Sequence, residues 1–267
     1  MNIFKYEFKT KLKSMITWSL SIYAVILIFM SLYQNFAEQT SLMAEMMASF
    51  PRELLIAFGM EDMDWSTILG FYGLAFVFVQ ICLGIQAANY GFGLVSLEET
   101  EWTADFLLSR PVSRRQIMTS KLLAAVTALG LTEIFIWIAS LVYLIIFRGD
   151  ELIPLEPMLL LLFSLPLFQL FFLTVGMLVS LLVKRVRSVT PLSMGLVFGL
   201  YTLNAFGDMI GEDSFEILSP FQHFEPSYIV KYNSWNMPQV TIGLVISLLA
   251  LAASYWLYGR RNIASAV

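Results

Sequence analysis

Ionisable side chains are sparse in this chain, and they gather in few places. The densest is Ser96–Arg115, which reads Ser-Leu-Glu-Glu-Thr-Glu-Trp-Thr-Ala-Asp-Phe-Leu-Leu-Ser-Arg-Pro-Val-Ser-Arg-Arg. Glu98, Glu101 and Asp105 recur at helical spacing on one face, and Trp102 and Phe106 lie one turn apart on another part of the same surface. Acids beside large aromatics suit the docking of a soluble partner. The competing reading has Trp102 and Phe106 dipping into a bilayer interface, and the residues alone leave both open. Pro111 must end this helix, because the residue before a proline disfavours the α region. Ser113 can cap the next helix, with Gln116 as its capping-box partner.

Glu133 is the one acid deep inside an apolar run. Burying it ionised in a bilayer costs about 2.5–3.5 kcal/mol on the insertion scale, so it faces protein or water, or is protonated. It is either part of a translocation path with Gln80, Gln86 and Asn89, or a structural group bonded to Gln80, Gln86, Asn89 or Asn204. Asp208, near the outer end of its span, is given no role. Other chemistry is excluded by what is missing. There is one histidine, His223, and one cysteine, Cys82, so no histidine-based metal centre, catalytic triad or intrachain disulfide can be built. No H-E-x-x-H and no G-x-x-x-x-G-K-[ST] occurs, which removes a zinc protease and a phosphate-binding loop.

The elements that carry these residues follow from composition. Of 267 residues, 58% are hydrophobic and 13% charged, about half the charged fraction of a soluble domain. Six apolar blocks reach the ~20 residues that a spanning helix needs: 17–36, 67–95, 122–147, 158–183, 189–210 and 240–258. The predicted fold is therefore all-α, a polytopic membrane protein of six transmembrane helices in one domain over 1–267. Gly70, Gly73, Gly84, Gly91 and Gly93 leave the ends of the second block, and any kink in it, open. No cleavable leader is predicted, since the run after the basic Met1–Ser14 is long enough to span and lacks a clear cleavage site.

Basic residues near span ends stay cytoplasmic. With the N-terminus inside, Lys5, Lys9, Lys11, Lys13, Arg110, Arg114, Arg115, Lys121, Lys184, Arg185, Arg187, Arg260 and Arg261 fall inside, and only Arg52, Arg148 and Lys231 outside. Both termini are then cytoplasmic, and the net charge of −4 averages two oppositely charged faces. No nucleic-acid partner is expected. Phe4, Phe8 and Leu12 form an apolar row beside Lys5, Lys9 and Lys13, which predicts an interfacial helix over 1–16; the alternative is an extension of the first span. In the first outer loop, Met43, Met46, Met47 and Phe50 make a Met-rich surface suited to an apolar substrate or, more simply, a lid. Pro51 and Gly59 can bound a short helix there, and Ser66 is the expected N-cap of the second span, beside an interfacial Trp65. Tyr232 and Trp235 are expected interfacial anchors.

The run Glu98–Lys121 resembles the loop of bacterial ATP-binding-cassette (ABC) exporter permeases, which include multidrug, bacteriocin, toxin-peptide and polysaccharide exporters. That pattern has acids, then Gly-Thr, Leu-Leu-Ser, one residue, Pro-Val-Ser-Arg, and a later Lys. Thr103, Leu107, Leu108, Ser109, Pro111, Val112, Ser113, Arg114 and Lys121 match, and Trp102 replaces the glycine. Pro51–Gly59 is similar to the family's first outer loop and Leu218–Phe224 to its last. The resemblance implies a dimer with a second copy or a paralogue, a cytoplasmic coupling helix within 96–121, and two ABC ATPase subunits beneath. ATP and Mg would be held by those partners, and this chain would carry no cofactor. The implied docking residues are Glu98, Glu99, Glu101, Trp102, Asp105 and Phe106, with Arg114 and Arg115 nearby. Export of an amphipathic or hydrophobic cargo is the leading expectation. A secondary transporter using Glu133, and a non-transporting scaffold or sensor subunit, are the alternatives.

Overall fold

The computed structural model describes residues 3–38, 49–51, 55, 63–100, 112–183, 186, 188–210 and 217–260, without the side chains of 96–100 and 208–210. Long helices run in the order α1 Ile3–Glu38, α2 Ile68–Thr100, α3 Arg114–Phe147, α4 Leu155–Leu182 and α5 Val189–Ile210. Two short helices follow, α6 Pro220–His223 and α7 Pro226–Tyr232, then the long α8 Met237–Arg260. Six of these, α1 to α5 and α8, are long and apolar enough to cross a membrane. Each predicted block falls on one of them, with Thr67 and Val183 as flanking caps.

Three helices outrun the bilayer. With 36, 33 and 34 residues, α1, α2 and α3 are about 54, 50 and 51 Å long at 1.5 Å per residue. The hydrocarbon core is only ~30 Å thick. Most of the surplus lies at the end carrying Lys5, Lys9, Lys11, Lys13, Arg114, Arg115 and Lys121. The expected separate interfacial helix is not formed: from Ile3 onward, that segment is the first part of α1, with no break before the span. The physical reason is the absence of any Gly or Pro between Ile3 and Glu38, so nothing interrupts the hydrogen-bond ladder. Phe4 and Phe8 of its apolar row stack nearly parallel, their centroids 6.1 Å apart.

The centre of the bundle is the crossing of α2 and α4. A Cβ on Gly91 would lie 2.3 Å from the Leu173 carbonyl oxygen, and one on Gly176 would lie 3.1 Å from that of Ala88. The two backbones therefore touch, which small residues permit and which drives helix association inside membranes. Phe168 and Phe172, tilted against each other, each meet Phe221 edge to face beside the crossing. The Trp235 indole donates to the Leu160 carbonyl at 3.0 Å, so this expected anchor also ties the α7–α8 connection to α4.

Helix α2 is capped one residue later than expected. Thr67, not Ser66, is the N-cap: its hydroxyl accepts from the Gly70 N–H at 3.1 Å. The Ser66 hydroxyl donates instead to Asp64. The Glu151 carboxylate, from the α3–α4 connection, accepts the Ile68 N–H at 3.0 Å and the Tyr33 hydroxyl at 2.6 Å. An acid at a helix N-terminus meets both the free N–H groups and the positive dipole end. At α3 the expectation holds, and the Ser113 hydroxyl accepts from the Gln116 N–H at 3.2 Å.

Candidate functional site

At the basic end, four helices are tied together where the Ser96–Arg115 loop leaves and returns. Lys121 is only 3% exposed. Its ammonium donates to the Leu94 carbonyl at 2.8 Å and lies 3.7 Å from Glu7. Glu7 also receives Lys11 at 3.3 Å, and the Lys11 ammonium sits 5.8 Å from the centre of the Tyr90 ring. Arg114 reaches the Tyr258 carbonyl at 3.4 Å and Thr119 meets the Tyr255 hydroxyl at 2.9 Å, bringing in α8. A buried ammonium must be paired to be tolerated. Lys121 is paired by one carbonyl before the loop and one acid from α1, so it pins the loop's two stems and the N-terminal helix at one point.

The expected docking residues are partly in view. Glu98 and Glu99 belong to the last turns of α2. Arg114 and Arg115 open α3, with Arg115 exposed. Glu101, Trp102, Asp105 and Phe106 lie outside the described residues, as does most of the Met-rich outer loop. Glu7 was missed by sequence reasoning. Its signal was local only, an acid four residues before Lys11 on one helix face.

Within the spans, the expected polar group does not gather. Gln80 donates to the Phe224 carbonyl at 2.9 Å and Gln86 to the Thr132 hydroxyl at 2.9 Å. The Asn89 carbonyl oxygen is buried without a partner. Glu133, 4% exposed, has no hydrogen bond on either oxygen. The bonding of Glu133 to a neighbouring Gln or Asn is thus not realised: Gln80 and Gln86 spend their amides elsewhere. Of the four residues, Glu133 lines a cleft between α3 and α4 that Gln80, Gln86 and Asn89 do not line, and it does so with Trp137 and Gln169. Sequence reasoning passed over both, although Trp137 stands four residues from Glu133 on the same helix face.

His223 is buried in α6. Its Nε2 is 3.0 Å from the Ile217 carbonyl, which can only accept, so this nitrogen carries the proton. Burial pushes its pKa down, and Nδ1 lies against Gly243, where a Cβ would approach to 2.7 Å. It is a packing residue. Among the described residues no three His, Cys, Asp or Glu assemble as metal ligands.

Six helices long and apolar enough to span, with the second and third bound together at the base of their connecting loop, define a polytopic membrane protein. The chain belongs to the ABC-2 family of transporter proteins, which it matches over residues 1–263. Permeases of this family are transport subunits that work with an ABC ATPase subunit. No curated protein and no solved structure matches the chain significantly.

Proposed function

We propose that this chain is the membrane half of an exporter that moves an amphipathic or hydrophobic molecule out of the cell: a peptide toxin or bacteriocin, a drug, or a lipid-like compound. It pairs with a second copy or a paralogue in a bacterial cytoplasmic membrane, with both termini inside. Two ABC ATPase subunits dock under it and supply the hydrolysis of ATP. The observation that carries this reading is the Lys121 clamp at the base of the loop. A loop that only joined two spans could be a few polar residues. Here α2 and α3 run on past their apolar stretches as a pair, bound to each other and to α1 at the base of the loop. Such a rigid stub converts a push on the loop into a tilt of α2 and α3. Because α2 crosses α4 in backbone contact at Gly91, that tilt passes into the centre of the bundle.

The docking surface is tested by Trp102→Ala combined with Phe106→Ala. Buried aromatic anchors at interfaces cost about 2 kcal/mol or more each on truncation, so the pair should weaken ATPase binding about a thousandfold. Binding is read by biolayer interferometry on the purified permease in nanodiscs, with thermal unfolding unchanged. Unaltered ATPase affinity in the double variant would place the coupling surface elsewhere.

A further inference from the structure

Helices α3 and α4 part around a cleft of about 230 Å³. Its walls are almost wholly apolar, and three of the residues that line it carry buried polar atoms with unmet hydrogen bonds just behind that wall: both oxygens of Glu133, the Trp137 indole nitrogen and the Gln169 amide nitrogen. Native proteins rarely leave one such group unsatisfied, and three at one cleft mark a place where something else supplies the partners. The Trp137 N–H approaches the Glu133 carboxylate without completing a hydrogen bond.

The site has a sign and an entrance. Among the described residues no Lys, Arg or His lines it, so its one ionisable group, an acid, meets no counter-charge there. An arriving ammonium would supply the missing counter-charge, and the neighbouring indole adds attraction for a cation. Glu133 lies near the middle of the apolar part of α3. On the outer flank of that helix, Ile134 is 53% exposed, and a Cβ on Gly130 would meet nothing within 4 Å. The missing side chain leaves a notch that opens sideways, toward lipid, rather than toward either aqueous face. Pro166 lines the α4 wall and removes one backbone donor from it. The volume is below the ~300–1,000 Å³ of sites that enclose a whole drug-sized ligand. It fits a head group and its first carbons, with the rest of the ligand lying in lipid.

We propose that this cleft binds membrane-borne amphiphilic amines, the ammonium pairing with Glu133 and the apolar body leaving through the notch at Gly130. As a cargo site it rests on the export reading above. As a binding site it does not, and the test uses the full-length permease without any ATPase, so a failure of export leaves the result interpretable. The probe is a dansyl-labelled decylamine with a free terminal ammonium, compared with its N-acetylated, uncharged twin. Both are titrated into nanodiscs of phosphatidylcholine and phosphatidylglycerol, which offer no competing primary amine, and energy transfer from tryptophan to dansyl is read. A charge-assisted bond predicts that the amine binds wild type at least about tenfold more tightly than the twin. Glu133→Gln keeps shape and removes the charge, and should erase that preference. Leu170→Trp fills the cleft and should abolish amine binding with the acid in place. Equal affinity for amine and twin in the wild-type protein, a comparison that needs no variant to fold, would overturn the proposal, as would a preference that survives Glu133→Gln.

Discussion

Leucine in place of Gly91 should leave the permease unable to form its native bundle. Even the Cβ of an alanine there would sit 2.3 Å from the Leu173 oxygen and 2.9 Å from the Met177 nitrogen, both backbone atoms of α4. Backbone cannot swing aside as a flexible side chain can, and α4 is held from its own side by Gly176 against Ala88. Overpacking of a dense core costs about 1–3 kcal/mol, and more where nothing can yield. A marginally stable protein has only ~5–15 kcal/mol to lose. Alanine should lower the midpoint of thermal unfolding in detergent by several degrees, and leucine should abolish the monodisperse species on size-exclusion chromatography. Gly199→Ala in α5 is the control. Nothing lies within 4 Å of its Cβ position, and alanine is favoured over glycine in a helix by about 1 kcal/mol, so its stability should hold or rise. Equal effects at Gly91 and Gly199 would mean that the crossing does not hold the bundle together.

Lys121→Met should separate ATP hydrolysis from transport. The substitution keeps the apolar stem and removes the ammonium, losing the bond to the Leu94 carbonyl and leaving part of the Glu7 charge without a partner. Losing a hydrogen bond to a charged group costs about 1.5–3 kcal/mol. Lys11 still holds Glu7, so the bundle should survive with a loosened loop base. The docking residues lie beyond the clamp, and ATPase affinity should therefore change little. Transport into inverted vesicles should fall at least tenfold while hydrolysis continues. Because Glu7 and Lys121 act as one unit, adding Glu7→Gln to Lys121→Met should cost less than the sum of the two singles. Strict additivity, or a parallel loss of ATPase binding and transport, would show that the clamp is not the transmitting element.

Much of the fold was legible because a spanning helix announces itself locally. An apolar run of the right length needs no knowledge of its neighbours, and all six spans lie where the runs do. Ser113 was legible for the same reason, since a cap is written within four residues of the helix it starts. The cap of α2 was misplaced by one residue because two hydroxyl residues stand side by side. The choice between Ser66 and Thr67 is made together with Glu151, an acid from a distant connection that takes the Ile68 N–H. The continuity of α1 was readable in the absence of Gly and Pro, but the lysine row drew the reading toward an interface. What no local pattern contained was pairing between helices. Lys121 stood out as part of a motif, yet its partners, Leu94 and Glu7, lie on two other helices. In the same way Glu133 was visible as a lone acid, while the cleft around it depends on how α3 and α4 separate near Gly130 and Pro166. The glycines of the second span left a kink open, whereas Gly91 serves instead as the point of contact with α4.

The central claim is that this permease is driven by a separate ABC ATPase docked on the loop between α2 and α3. The most direct measurement reconstitutes the full-length chain in nanodiscs with each candidate ABC ATPase subunit of the same organism and follows complex formation and ATP hydrolysis together. The account predicts a stable complex, hydrolysis at least several-fold above that of the ATPase alone, and loss of both in the Trp102→Ala, Phe106→Ala variant. No complex and no stimulation, together with gradient-driven flux that needs no ATP and disappears in Glu133→Gln, would contradict it.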